Sequence, residues 1–254
     1  MSTTAASPTT PEPEPLSTAG RILNTFVAPS KTFLDLKRKT TWTSWIAPWL
    51  LSAVFAWIFV VVMAQKIGFE QVSENQIQLQ PKRAEQLEKL PAAQQARQRE
   101  MSVKITRVIS YVIPAFSLIF LSVVAVILMA TFNFGAGADV PFKLAMAIVF
   151  YASLPGIVKS LLGIVTMFAG MSPEGFVPQN PVATNPGYFL NPAQSPVLYQ
   201  VLSAVDIITI WMLVLTAIGF SCVSKMSKGT TMGVVFGWYL VVTLIGTGFT
   251  ALFS

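Results

Sequence analysis

Five stretches of this 254-residue chain are long, apolar and almost free of charge: residues 46–64, 109–132, 144–170, 201–223 and 232–253. Each is long enough to cross about 30 Å of hydrocarbon, which takes roughly 20 helical residues. Too little polar chemistry is left for an ordinary soluble domain: 53% of the residues are hydrophobic and 11% charged, where roughly 25% charged is usual. Inside a bilayer, continuous apolar runs satisfy their backbone as helices. The expected fold is therefore all-α, a polytopic membrane protein built as a bundle of five transmembrane helices.

Residues absent from the chain restrict the chemistry further. It has no histidine, which excludes imidazole proton shuttles, Ser-His and Cys-His nucleophile pairs and histidine metal sites. Cys222 is the single cysteine, so neither an intramolecular disulfide nor a thiolate cluster can form. No enzyme activity, catalytic residue, metal or cofactor is expected. The net charge of +6 reads as a topology signal rather than a nucleic-acid footprint. The expected partner is the lipid bilayer, followed by other membrane proteins or a second copy of the chain, with no nucleic acid.

Around the spans the chain divides by composition. Residues 1–20 are dominated by Pro, Ser, Thr and Ala, too poor in large apolar groups to offset ordering entropy, and read as a disordered tail. Residues 21–44 hold Ile22, Leu23, Phe26 and Val27, a break at Pro29, then Phe33, Leu34 and Leu36 ahead of Lys37, Arg38 and Lys39. This is the pattern of an interfacial amphipathic helix, or of a helix packed on the bundle. Residues 65–108 carry eight basic residues and five glutamates; Pro81 and Pro91 suit first-turn positions of two short polar helices on a solvated face. Residues 171–200 contain six prolines, a density that argues against helix. Phe176, Tyr188, Phe189 and Tyr199 are interleaved there, as expected of a segment folded over the bundle mouth. Asn180, Asn185 and Asn191 each precede a proline, which removes any glycosylation sequon.

With the N-terminus inside, Arg21, Lys31, Lys37–Lys39, Lys143, Lys225 and Lys228 share the inner side, and the last outer segments carry no basic residue. The positive-inside rule thus favours a multi-pass protein, in the inner membrane if bacterial, with the N-terminus in and the C-terminus out. Only the long, mixed-sign first connection opposes this.

Lys159 and Asp206 are the only ionisable residues well inside the spans, where a charge costs at least about 2.5 kcal/mol. Residue counting puts them roughly 16 and 9 Å below the outer end, within reach of each other through the lysine stem. The pair either lines a polar cavity for a substrate or proton, or fixes the packing of two helices. Pro155-Gly156 sits mid-span and invites a kink; broken helices mark transporter sites and also serve packing. Gly229, Gly233 and Gly237 recur at four-residue spacing, which suits close helix packing within the chain or between copies. Lys225 and Lys228 with Lys37–Lys39 form a basic rim that sets topology or attracts anionic lipid. Cys222 beside them is a buried thiol or an acylation site.

Pro29-x-x-x-Phe33, a first span rich in Trp and Pro, and the run NFGAGADVPFKLAMAIVFYASLPGIV carry a resemblance. Within that run, Phe134-Gly135, Phe142-Lys143 and Tyr151-Ala152-Ser153-Leu154-Pro155 stand out. Over about residues 25–252 the chain is similar to the prokaryotic branch of the Yip-one domain family of multi-pass membrane proteins. The resemblance implies a membrane organiser or adaptor with a trafficking-like or membrane-homeostasis role; a small transporter or channel component using Lys159 and Asp206 is the alternative. Eukaryotic members contact prenylated small GTPases, but the Asp-Leu-Tyr-Gly-Pro stretch that marks them is missing here, so a GTPase partner is not implied.

Overall fold

A computed structural model describes residues 14–253. Among them eleven α-helices and two short 3-10 turns form, with no strand. The spans are α3 (Ile46–Lys66), α6 (Ala92–Ala136), α7 (Phe142–Ala152) continued by α8 (Gly156–Phe168), α10 (Ile207–Ser224) and α11 (Lys228–Phe253). The chain is thus an all-α polytopic membrane protein with five helical crossings.

The N-terminal end of the bundle is closed by α1 (Thr18–Val27) and α2 (Pro29–Arg38), two helices where the sequence suggests one. Pro29 begins α2, where its missing N–H costs nothing, and so splits the segment. Arg21 Nε bonds Asp35 Oδ2 at 2.7 Å and ties the two helices together. α2 is not spread on a membrane surface: Phe33 and Leu36 are fully buried in the main core with α7 and α10. α1 leaves Leu23 and Val27 exposed. Part of the expected disordered tail is ordered, because Leu16 N donates to Asp35 Oδ1 and Ser17 Oγ accepts from Gly20 N as the cap of α1. The rest of that expectation, residues 1–13, lies outside the described residues.

At the opposite end, hereafter the loop end, two short polar helices form, α4 (Phe69–Gln78) and α5 (Pro81–Glu88), of which α5 stands at an expected position and α4, ahead of Pro81, does not. Pro81 occupies the first turn of α5. Pro91 instead precedes α6, which starts well before residue 109 and runs 45 residues, about 67 Å at 1.5 Å per residue. The residues that lengthen it are strong helix formers, chiefly Ala, Gln, Arg, Met and Lys. The end of the Pro-rich segment also corrects the expectation, because Pro196 opens α9 (Pro196–Ala204) from its first turn. Proline is compatible with a helix there, since the N-terminal N–H groups have no intrahelical acceptor. A new helix, α10, then starts at Ile207, so residues 201–206 are not part of the fourth span.

The third crossing breaks between α7 and α8, as Pro155 suggests. Pro155 cannot donate to Tyr151 O, and Leu154 N takes that acceptor at 3.2 Å. Gly156 N and Ile157 N then bond Ser153 O and Leu154 O. The break is therefore a tight turn with tightened i→i+3 bonds rather than an open gap. α7 is buried on all sides, with Leu144 to Ala152 continuously in the core.

Candidate functional site

Asp206 is the hub of the loop end. It is not six residues inside a span but caps α10, with Oδ1 accepting from Thr209 N at 2.9 Å and Thr209 Oγ1 at 3.2 Å. Aspartate is among the best residues for that position, because its oxygen satisfies an N–H the helix cannot. Its other oxygen accepts from Lys159 Nζ at 3.1 Å, Thr184 Oγ1 at 2.5 Å and Asn185 Nδ2 at 3.2 Å. All five contacts come from donors, one of them an ammonium, the environment that suits a carboxylate. The Asp206 side chain is 2% exposed and that of Lys159 25%.

The Pro-rich segment reaches this depth because its polar groups are used internally. Ile207 N donates to Thr184 O at 3.0 Å. Asn185 Nδ2 donates to Asn180 Oδ1 at 2.7 Å and Asn180 Nδ2 to Asn185 Oδ1 at 3.2 Å, while Asn185 Oδ1 also accepts Tyr188 N at 3.0 Å. Asn75 of α4 donates to Pro173 O and Phe176 O, at 2.7 and 3.0 Å. Irregular backbone beside the hydrocarbon layer is sustained where its polar groups are enclosed by protein in this way. Asn180, Thr184, Asn185 and Thr209 were not singled out from sequence. An Asn ahead of Pro both removes a glycosylation sequon and signals a side chain that organises a turn.

Lys159 reaches Asp206 from α8, just beyond the break that sets the direction of that helix. On its open side it lines a cavity of about 330 Å3 between α3, α6, α8 and the Pro-rich segment. Phe59, Val60, Met63 and Ile113 supply apolar walls; Ser110, Ser160 and Gln179 are polar. Pro114, a further lining residue within α6, has no N–H to give the Ser110 carbonyl.

Of the remaining sequence candidates, the helix break borders this site and the glycine row lies elsewhere. Gly156 starts α8 and lines the cavity. A Cβ built at Gly233 or Gly237 meets nothing within 4 Å, and at Gly229 only Ser227 Oγ at 3.8 Å. Close packing of this glycine row within the chain is therefore corrected: α11 meets its neighbours through other faces, such as Tyr239 Oη donating to Ala204 O at 2.7 Å. At the N-terminal end, Lys37 Nζ donates to Cys222 O at 3.0 Å, joining two parts of the basic rim.

The Yip1 domain pattern matches residues 23–250. The chain belongs to the Yip1 domain family. In Yip1 terms the match takes in all five spans except the last residues of α11, the α1–α2 hairpin from Leu23 onward, and every residue of the Asp206 hub. No curated protein and no solved structure matches the chain.

Proposed function

We propose that this Yip1 domain protein is a non-catalytic membrane organiser or adaptor, working through the surfaces it presents to lipid and to other membrane proteins. The observation that carries this reading is the engagement of Asp206. Both of its oxygens are taken by donors from α8, α10 and the Pro-rich segment. Used like this, the two charges pin three elements together, whereas a proton or solute path would need acceptors open to exchange. A transporter reading draws on the cavity beside Lys159, but gives no account of a route past the carboxylate. A small GTPase is not among the proposed partners.

The stalk of α6 ahead of its membrane crossing, residues 92–108, carries the exposed Arg97 and is the surface proposed to meet a partner; Arg99 is already paired with Glu74 of α4. Photo-crosslinkers placed at exposed Met101 and Ile105 are expected to give discrete protein adducts in cells, lost in Arg97→Glu. Adducts unchanged by that reversal, or solute-dependent flux in liposomes of purified protein, would overturn the reading.

In the proposed orientation the α1–α2 end lies inside, in the inner membrane if the cell is bacterial, and the C-terminus outside. In a Cys222→Ser background, Ser254→Cys is expected to label with an impermeant maleimide from outside only. Labelling only after permeabilisation reverses the assignment.

A further inference from the structure

The cavity beside Lys159 combines three features that together specify a ligand. The first is donor capacity. An ammonium has three N–H donors, and among the described residues Asp206 is the one partner of Lys159 Nζ, so donors remain for a group in the cavity. The second is charge. Lys159 and Asp206 neutralise each other at 3.1 Å, so the site favours an uncharged acceptor over an anion. The third is access and depth. Ile113 at the rim is 57% exposed on the flank of the bundle, where the surroundings are lipid rather than water. Asp206, the partner of Lys159, caps α10, whose 18 residues rise about 27 Å at 1.5 Å per residue, which brings the ammonium close to the far boundary of a hydrocarbon layer about 30 Å thick.

An uncharged acceptor that arrives sideways through lipid and resides at that boundary is the ester carbonyl of a glycerolipid. We infer that this cavity is a binding site for the ester region of a glycerolipid from the leaflet at the loop end. Lys159 donates to an ester carbonyl, Phe59, Val60, Met63 and Ile113 pack the first methylenes, and Gln179 stands toward the headgroup. The volume of about 330 Å3 falls at the lower end of known ligand sites, so it holds the glycerol ester region while the acyl chains stay in the bilayer. The site is independent of any protein partner, so its failure would leave the organiser reading in place.

The test uses the full chain in nanodiscs, with dioleoyl phosphatidylethanolamine or its diether analogue, which lacks both ester carbonyls. After transfer to mild detergent, native mass spectrometry counts retained lipid. The expected result is about one ester lipid per chain, with retention about tenfold lower for the diether, the change that loss of charge-assisted hydrogen bonds produces. Ala56→Trp, which fills the cavity while leaving both members of the Lys159–Asp206 pair in the chain, is expected to lose the bound lipid. Ile113→Trp at the exposed rim decides the matter if Ala56→Trp does not fold. Equal retention of ester and diether lipids, or a folded cavity-filling variant that keeps its lipid, overturns the site.

Discussion

Asp206→Ala is expected to lower stability by about 3–5 kcal/mol, the cost of removing one partner from a buried ion pair. Lys159 is then left without its counterion, Thr184 and Asn185 lose an acceptor, and α10 loses its cap. The loss follows from stranded donors rather than from the pair's net attraction, so neutralising both charges should be far milder. Asn retains capping ability, and Lys159→Met/Asp206→Asn is expected to cost less than Asp206→Ala alone. Unfolding of the purified variants in mixed micelles measures both, and the double-mutant cycle isolates the coupling. If Asp206→Ala unfolds with the wild-type midpoint, the hub does not hold the loop end together.

Gly219→Ala is the second large effect, at the other end of the bundle. A Cβ at this position would lie 2.4 Å from Ile148 Cγ2 and 3.2 Å from Phe33 Cδ1. Ile148 and Phe33 are both fully buried, so neither can swing out, and the expected cost is about 1–3 kcal/mol. The strain falls on the seat of α2, so the α1–α2 hairpin should become more susceptible to limited proteolysis. Ile148→Ala removes the obstructing methyl and should return part of the loss in the double variant. A Gly219→Ala protein as protease-resistant as wild type would show that the close approach is relieved without undocking α2.

The five crossings were legible in sequence because lipid demands long apolar runs, and charge breaks those runs sharply. Lys159 and Asp206 stood out for the same reason, being ionisable residues among uncharged neighbours. The role of Asp206 was hidden. Residues on both sides of it are apolar, so Val201 to Ile210 reads as one continuous helix, and only the fold shows that α9 ends and α10 begins there. The continuity of α6 was obscured in the opposite way. Its first turns are polar, with charges from Arg97 onward, and match no span, yet their helix propensity needs no apolar face to continue a helix already anchored in the bundle. Thr184 and Asn185 could not be assigned to the hub, because contact with a residue more than twenty positions away in a proline-rich segment follows from tertiary packing rather than local pattern.

The unbroken course of α6 has a mechanical consequence. From Ala92 to Pro114 the helix is continuous, so Arg97 on the stalk and Ser110 and Ile113 on the cavity wall lie on the same rod, which α4 braces through the Arg99–Glu74 ion pair. Load on the stalk is therefore shared between that wall and α4, and no hinge lies between them to absorb it.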